Sequence, residues 1–371
     1  MNRLLAVAEQ GQSLWLDYIR RDLMDSGALD RMIATDGVAG LTSNPAIFEK
    51  AIGSGALYDA SLAGLMHQGL RDPEQLVELL AVEDIRMAAD AFDALYRGTQ
   101  GRDGYVSLEV SPRLARDTAA TIEQGRRIWH TVGRPNLMIK VPGTPEGVPA
   151  IRQLIADGIS VNVTLLFSRA AYAAVADAWC EGLEARLAAG GDIRNVASVA
   201  SFFVSRIDTA LDAELAKLGR EALALSGHIA IANAKLAYQD FLAHRASPRW
   251  QALAAAGARP QRLLWASTGV KRTDWRDTLY VEALIGPETV NTVPPATLDA
   301  MRDHGAAART LDAEVSFAQS VMQAVEKLGL PLDAVTQQLT DDGVALFVEA
   351  WHKLLAAVAD KRDALLEGDA Q

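Results

Sequence analysis

Residues 105–110 read YVSLEV and residues 160–167 read SVNVTLLF. In both stretches polar side chains alternate with apolar ones, which is the period-2 pattern of a β-strand with two different faces. Six further short apolar runs, each bounded by turn residues, occur along the chain. The eight predicted strands cover residues 13–18, 38–42, 105–110, 137–141, 160–167, 196–203, 263–267 and 289–293.

Helical stretches separate most of these strands. The clearest covers residues 73–98, where apolar side chains recur at helical spacing after the N-cap residue Asp72. Strands that alternate with helices form parallel sheets, and eight such units are typical of a (β/α)8 TIM barrel. An open, doubly wound sheet is the alternative, because periodicity does not show whether a sheet closes. We expect one barrel domain over residues 1–371 with additional helices, in which residues 297–371 form a C-terminal helical extension packed on the barrel.

Composition and charge limit the classes of function. Half of the 371 residues are hydrophobic and 22% are charged, as in an ordinary soluble globular protein. The formal charge of -11 argues against a protein that binds nucleic acid or an anionic membrane, because both require a positive surface. No run of eighteen apolar residues predicts a membrane span. Any anionic substrate must therefore meet a local cluster of basic residues.

The single cysteine, Cys180, bears on the cellular compartment. With one cysteine an intramolecular disulfide is impossible, and a reducing environment is favoured. We therefore expect a cytoplasmic protein. Whether it is a monomer or a homodimer stays open at this point.

Lys140 differs from the other lysines because it lies inside a predicted buried strand, in NLMIKVPG. An unpaired ammonium is costly to bury, and burial favours the neutral amine that a Schiff-base nucleophile requires. Two interpretations stay open: a covalent role, or a buried ion pair with Glu109 or Asp17. The other seven lysines lie in helical or loop-like surroundings and are expected to be solvated: Lys50, Lys217, Lys235, Lys271, Lys327, Lys353 and Lys361.

Polar residues cluster near the carboxyl ends of the predicted strands, where barrel enzymes build their active sites. Schiff-base chemistry on a sugar needs proton donors and acceptors, and Asp17 and Glu109 are the inward-facing carboxylates. Thr164 is placed to hold a water molecule together with Glu109. The alternative is that Ser and Thr side chains fill a tight interior while Glu109 pairs with an arginine. The residues near strand ends are Asp17, Asn44, Glu109, Lys140, Ser201 and Ser267.

A phosphate group on the substrate calls for basic and hydroxyl donors together. Ser201 and Arg206 follow the sixth strand, and Ser267 and Lys271 follow the seventh within WASTGVKR. Arg206 has a simpler interpretation as the first turn of a helix. The six histidines show no metal-ligand spacing, and motifs for a P-loop or a serine hydrolase are absent, so we expect no metal and no cofactor.

The segments that carry these residues resemble the transaldolase family, in particular the longer bacterial transaldolases. They are GLTSNPAIFEKAI, VSLEVSPRLARDT, NLMIKVPGTPEGVPAI, ISVNVTLLFS, SVASFFVSRID and LLWASTGVKRTDW, followed by TVNTVPPATL. The resemblance implies that Lys140 is the Schiff-base lysine and that Asp17 is the general acid/base for carbon–carbon cleavage. It also implies that Glu109 and Thr164 hold a catalytic water. The remaining implied residues contact the substrate: Asn44 and Asn162 its hydroxyls, Phe203 the pocket wall, and Ser201, Arg206 and Ser267 the phosphate.

One segment departs from the family pattern. Many members have Ser, one residue and then Arg after the seventh strand, whereas this chain has Ser267-Thr-Gly-Val-Lys271. Lys271 is therefore the candidate for the second phosphate cation.

The resemblance implies a reversible transfer of a dihydroxyacetone unit from sedoheptulose 7-phosphate or fructose 6-phosphate to an aldose phosphate such as glyceraldehyde 3-phosphate. This reaction belongs to the non-oxidative pentose phosphate pathway. One rival is a Schiff-base aldolase of the same fold, which releases free dihydroxyacetone. The other is a catalytically silent barrel that binds sugar phosphates, which the intact set of Lys140, Glu109 and Asp17 makes the weaker hypothesis.

Overall fold

Eight parallel strands form a closed barrel in the computed structural model, which describes residues 2–369, with side chains described through residue 367. Each strand pairs with the next along the chain, and the last pairs with the first through five register partners, from Gln12 with Thr289 to Leu16 with Val293. The predicted (β/α)8 barrel is confirmed, and the open-sheet alternative is wrong. The strands are β1 (Gln12–Asp17), β2 (Gly40–Thr42), β3 (Tyr105–Glu109), β4 (Leu137–Pro142), β5 (Val161–Leu166), β6 (Ser198–Phe203), β7 (Arg262–Ala266) and β8 (Thr289–Val293).

Helices fill the connections and surround the barrel. In the N-terminal half they are α1 (Arg3–Glu9), α2 (Arg21–Asp25), α3 (Ala28–Arg31), α4 (Pro45–Ile52), α5 (Asp59–His67), α6 (Pro73–Gly98), α7 (Thr118–Val132), α8 (Gly147–Ala156) and α9 (Arg169–Ala188). In the C-terminal half they are α10 (Ser205–Leu218), α11 (Arg220–Leu223), α12 (Ile229–Ala246), α13 (Pro248–Ala255), α14 (Leu279–Ala283), α15 (Pro295–His304), α16 (Val315–Lys327) and α17 (Leu332–Asp369). A π-helical turn at Met32–Asp36 and a 3-10 turn at Pro112–Leu114 complete the regular structure.

The helix predicted over residues 73–98 is confirmed as α6. The Asp72 side chain accepts a hydrogen bond from the backbone N–H of Gln75, and Pro73 takes the first helical position, where the lack of an N–H carries no penalty. Leu80, Ile85 and other apolar side chains of one face are buried against the barrel and α7. The local capping signal and the helical period thus predict the bounds of this helix from neighbouring residues alone.

Side chains fill the barrel interior and close its amino-terminal end. Ser13, Trp15 and Asp17 share the inward face of β1, because alternate residues of a strand point to the same side. At the bottom, Arg262 of β7 donates to Ser13 Oγ and to Asp103 Oδ1, both at 2.9 Å. The buried Trp15 ring lies above this ion pair, with its centroid 6.3 Å from that of Tyr105. The interior is therefore a packed core at this end rather than a pore.

The long C-terminal helix α17 crosses several elements of the barrel. It packs on α4, α5, α6 and α10 and reaches β5. Among the side chains that the structure describes, two ion pairs connect it to the rest of the chain, Arg116 with Asp341 at 2.5 Å and Lys361 with Asp59 at 2.6 Å. The extent of one domain over residues 1–371 stays a prediction. Within the described residues, no helix has the length and apolar character that crossing a membrane requires.

Gly40 of β2 gives a test of how tightly the interior is packed. A Cβ atom at this position would lie 2.6 Å from two atoms of the buried Trp15 ring, which has no room to move. Gly40→Ala should therefore lower the free energy of unfolding by about 1–3 kcal/mol, the usual effect of overpacking a core. Chemical denaturation followed by circular dichroism measures this change as a lower midpoint.

Gly64→Ala is the matched control. Gly64 lies on the exposed side of α5, and a Cβ atom added there would have nothing within 4 Å. Here alanine should stabilise the protein by about 0.5–1 kcal/mol through its higher helix propensity. Equal effects of the two substitutions would contradict the tight contact between Trp15 and β2.

Candidate active site

A cavity of about 220 Å³ opens at the carboxyl end of the barrel. Nearly every residue singled out in the sequence contributes to it, and so do several others. Its walls are formed by Asp17, Thr42, Asn44, Lys140, Thr164, Ser201, Phe203, Arg206, Ala266, Ser267, Gly269, Lys271, Thr292, Pro294 and Phe347. Two predicted residues, Glu109 and Asn162, lie directly behind this wall and contact its members.

Lys140 and Glu109 form a buried ion pair inside the barrel. They are register partners on β4 and β3, so their inward side chains lie side by side. Lys140 Nζ is 3.1 Å from Glu109 Oε2 and donates a hydrogen bond to the backbone carbonyl of Ser43 at 3.0 Å. Only 5% of Lys140 is exposed. Of the two possible ion-pair partners, Glu109 is the one that the structure places in contact.

Burial changes the acid–base properties of both carboxylates near Lys140. Desolvation raises the pKa of Glu109, and the neighbouring Lys140 ammonium opposes part of that rise. Desolvation likewise raises the pKa of Asp17, against the opposing effects of Lys140, the Thr42 hydrogen bond and Arg206. Thr42 Oγ1 donates to Asp17 Oδ1 at 2.7 Å, as their register pairing on β2 and β1 allows. Upward shifts of this kind make each carboxylate a stronger proton acceptor than a carboxylate in water.

Several buried polar atoms around the ion pair are left without hydrogen bonds. Apart from the contact with Lys140, neither carboxylate oxygen of Glu109 has a partner among residues 2–367, and the same holds for Thr164 Oγ1. Buried polar groups normally find partners in protein or water. The carboxylate and the hydroxyl therefore retain the capacity to bind a ligand or a water molecule.

The two predicted asparagines occupy different environments. Asn44 caps α4 through its Oδ1, which accepts from the backbone N–H of Ile47 at 3.0 Å, and it also lines the cavity. Asn162 is fully buried below the cavity wall. Its Oδ1 accepts from Ser201 at 2.7 Å and its Nδ2 donates to Ser107 at 3.0 Å. Asn162 thus orients Ser201, whereas Asn44 presents its amide directly to the cavity.

The basic side of the cavity comes from the segments after β6 and β7. Arg206 lies in the first turn of α10, as its simpler interpretation predicted, and its side chain also reaches the cavity. Its guanidinium is 5.5 Å from the centre of the Phe203 ring and makes no ion pair with any carboxylate in the described chain. Desolvation lowers the pKa of Arg206. A half-buried guanidinium that makes no ion pair with a carboxylate is suited to binding an anion.

Ser267 and Lys271 complete this basic side. Ser267 has φ of 55°, in the left-handed region that non-glycine residues rarely adopt, and its Oγ lies 3.0 Å from Ser205 Oγ. Lys271 is exposed at the mouth of the cavity. Both residues thus face the position that Arg206 approaches from α10.

The structure adds wall residues that the sequence patterns did not single out. Thr42 and Thr292 lie on the inward faces of β2 and β8, with their hydroxyl oxygens 2.7 Å apart. The alternation of side chains along each strand could have identified both threonines as inward-facing. Phe347 comes from α17, and no local pattern points to it. Away from the cavity, the prediction that Lys235 is solvated is wrong. Lys235 is 7% exposed because its Nζ donates to the carbonyls of Thr310 and Ala313, both at 2.9 Å.

The side chains of the cavity also limit the chemistry that it can perform. In residues 2–367, no group of three or more His, Cys, Asp or Glu side chains has an arrangement that would hold a metal ion. The groups that the cavity wall offers to a substrate are a buried amine, the Asp17 carboxylate, several hydroxyls and two cations, and the Glu109 carboxylate lies beside the amine.

Comparison with known proteins agrees with this geometry. The model of the transaldolase/fructose-6-phosphate aldolase family matches residues 14–358. A transaldolase of Thiobacillus denitrificans is 52% identical, with 96% of this chain and 100% of the relative covered. A transaldolase of Thermobifida fusca is 50% identical over 96% and 98% of the two chains, and transaldolase 1 of Streptomyces coelicolor is 49% identical over 97% and 95%. The resemblance seen in the sequence motifs is confirmed, and the chain belongs to the transaldolase/fructose-6-phosphate aldolase family.

Proposed function

We propose that this protein is a transaldolase that transfers a dihydroxyacetone unit from a ketose phosphate to an aldose phosphate through a Schiff base on Lys140. The observation that carries the proposal is the buried Lys140 amine beside Glu109, in a cavity whose wall also holds the Arg206 guanidinium. The transaldolase names of relatives about half identical over nearly the whole chain support it. We place the reaction in the non-oxidative pentose phosphate pathway and the protein in the cytoplasm, as a monomer or homodimer.

The first chemical step forms the imine. Glu109 takes a proton from the Lys140 ammonium, and the neutral amine attacks the ketose carbonyl. That proton returns to the hydroxyl of the resulting carbinolamine, which leaves as water to give a protonated imine. Glu109 and Thr164 hold a water molecule that carries protons between nitrogen and oxygen. Their otherwise unpartnered oxygen atoms support this role, because a water molecule can satisfy both.

The second step breaks the carbon–carbon bond. The Asp17 carboxylate takes the proton of the substrate hydroxyl, a carbonyl forms on the departing aldose, and the bonding electron pair moves into the iminium to give an enamine. The incoming aldose reverses these movements, and the now protonated Asp17 gives its proton to the new hydroxyl. The raised pKa of Asp17 supports both directions, because a desolvated carboxylate holds a proton more strongly than one in water.

Substrate binding uses the basic side of the cavity. Arg206 and the hydroxyls of Ser201 and Ser267 bind the terminal phosphate, with Lys271 as the second cation at the mouth. Asn44 and, through its contact with Ser201, Asn162 position the sugar hydroxyls. Phe203 shapes the wall between the phosphate and Lys140. The distance of 5.5 Å between the Arg206 guanidinium and the Phe203 ring supports a fixed position for that cation.

A Schiff-base aldolase that releases free dihydroxyacetone is the second candidate. The name of the matched family includes fructose-6-phosphate aldolase, which makes this reaction the relevant alternative. Both reactions use the same enamine on lysine and differ only in what happens to it. A kinetic experiment therefore has to separate them.

The transferase assignment predicts that the enamine waits for an acceptor. Fructose 6-phosphate alone should give little free dihydroxyacetone, and added erythrose 4-phosphate should start rapid formation of sedoheptulose 7-phosphate and glyceraldehyde 3-phosphate. Coupled assays or chromatography measure both products. Sustained release of dihydroxyacetone at a rate that erythrose 4-phosphate does not change would identify an aldolase instead.

The covalent role of Lys140 is tested by reduction. Borohydride with fructose 6-phosphate should attach a dihydroxyacetone-derived group to Lys140, because an imine is reducible and an ammonium is not. Mass spectrometry of peptides locates the group, and Lys140→Ala should prevent its attachment. Lys235, a second buried lysine outside the cavity, is an internal control that should stay unlabelled. A label on Lys235, or active enzyme that gives no label, is incompatible with the mechanism.

Phosphate recognition predicts a selective effect of Arg206→Ala. Loss of one charge-assisted hydrogen bond of about 1.5–3 kcal/mol should raise KM for phosphorylated sugars roughly ten- to a hundredfold. Lys271→Ala should act in the same direction more weakly. Arg272→Ala is the matched control, since it removes the same charge from the neighbouring loop but its side chain pairs with Asp274. An unchanged KM in Arg206→Ala would contradict a role in phosphate binding and would favour the interpretation of Arg206 as a residue of the first helical turn.

A further inference from the structure

The C-terminal helix α17 supplies one wall of the active-site cavity. Phe347 lines the cavity and is 6% exposed, with its ring centre 5.6 Å from Lys140 Nζ. That distance places the ring within range of a cation–π contact with a positively charged nitrogen. An aromatic side chain from outside the barrel thus lies close to the amine that Glu109 also contacts.

The position of Phe347 near Lys140 depends on a close contact between α17 and β5 one helical turn earlier. Gly343 lies on the same face of α17, four residues before Phe347, and faces Leu165 of β5. A Cβ atom on Gly343 would be 2.7 Å from Leu165 Cδ2, so glycine allows the helix to approach this closely. Leu165 has φ of 60°, and the pairing of β5 with β6 shifts register between Val163 and Leu166. The irregular carboxyl end of β5 therefore forms the surface on which α17 packs.

The walls of the cavity differ in their affinity for water. Asp17, Thr42, Thr164, Ser201 and neighbouring hydroxyls are polar and attract solvent, and Glu109 faces Lys140 from the barrel side. Phe347, on α17, belongs to the apolar part of the wall together with Phe203, Ala266 and Pro294. Water next to the nitrogen is needed to form and hydrolyse the imine. Water at the enamine carbon instead favours protonation of that carbon and release of free dihydroxyacetone.

We propose that Phe347 is a positioning residue that shields the three-carbon enamine on Lys140 from solvent and thereby sets the ratio between transfer and release. The inference rests on the proposed Schiff-base function and adds a determinant of its outcome. It assigns to the C-terminal helix a part in the reaction that the barrel residues alone do not perform.

The two competing reactions of the enamine define what Phe347 would control. In transfer, the enamine carbon forms a bond to the acceptor carbonyl carbon, and the carbonyl electron pair moves to oxygen, which takes the proton from Asp17. The nitrogen becomes an iminium again, and water hydrolyses it to the new ketose phosphate and the Lys140 amine. In release, the same carbon takes a proton from solvent or Asp17, water adds to the resulting iminium, and the carbon–nitrogen bond breaks to give dihydroxyacetone and the Lys140 amine. Only the second route is accelerated by additional water around the carbon.

The test compares Phe347→Ala, Phe347→Leu and the control Leu346→Ala. Leu346 is the adjacent residue on α17 and is 52% exposed, so its substitution changes the same helix without touching the cavity. With fructose 6-phosphate and erythrose 4-phosphate, the measured quantity is the ratio of free dihydroxyacetone to sedoheptulose 7-phosphate. This ratio is taken among enzyme molecules that turn over, so partial unfolding of a variant does not alter it.

Phe347→Ala should raise the ratio about tenfold, which corresponds to about 1.4 kcal/mol of lost discrimination between the two routes. The vacated ring volume then admits water, which needs about 30 Å³ per molecule. Phe347→Leu should raise the ratio less, because leucine leaves only the far part of the ring volume open, and Leu346→Ala should keep the wild-type ratio. Borohydride should still label Lys140 in all three variants.

A wild-type ratio in either Phe347 variant overturns the inference, and so does an equal rise in Leu346→Ala. If Phe347→Ala cannot be prepared, the leucine variant alone decides the question. Failure of the proposed function would be seen in the unsubstituted protein. That protein would show no transfer to erythrose 4-phosphate or no label on Lys140.

Discussion

The buried contact between the Lys140 ammonium and the Glu109 carboxylate is the constraint around which the active site is organised. Two opposite charges are removed from water inside the barrel, where neither is tolerated without the other. Their contact exists because β3 and β4 pair in a register that places them side by side. The same desolvation raises the pKa values of Glu109 and Asp17. The acid–base chemistry of the cavity is thus a consequence of its position within a closed, parallel sheet.

The two ends of the barrel interior use polar groups in opposite ways. At the amino-terminal end, Arg262, Ser13 and Asp103 bond to one another beneath Trp15, so that their hydrogen-bonding capacity is used within the protein. At the carboxyl end, the oxygens of Glu109 and Thr164 keep unused capacity. The amino-terminal end of the barrel interior thus contributes to stability, and the carboxyl end keeps polar groups free to bind a ligand. This arrangement is usual for barrels whose sites lie at the carboxyl ends of the strands.

The cavity is a joint product of the barrel and of segments outside it. The strands place the amine, the carboxylates and the hydroxyls, whereas Arg206 comes from α10 and Phe347 from α17. The contact of Gly343 with Leu165 links the position of α17 to an irregularity of β5. The barrel strands and the surrounding segments therefore contribute different groups to one cavity, the strands its amine and carboxylates and the segments outside the barrel a guanidinium and an aromatic ring.

The sequence by itself determined the eight strands, through alternation at residues 105–110 and 160–167 and through short apolar runs elsewhere. Alternation also placed Glu109 and Thr164 on inward faces, and the resemblance of the motifs identified the family. These features are local, because strand period, capping residues and short motifs are properties of neighbouring residues. Closure of the sheet, the choice of Glu109 over Asp17 as the partner of Lys140, the burial of Lys235 and the place of Phe347 were decided only by the tertiary structure. Each of them depends on pairing register or helix docking between residues far apart in sequence, and no local pattern encodes such contacts.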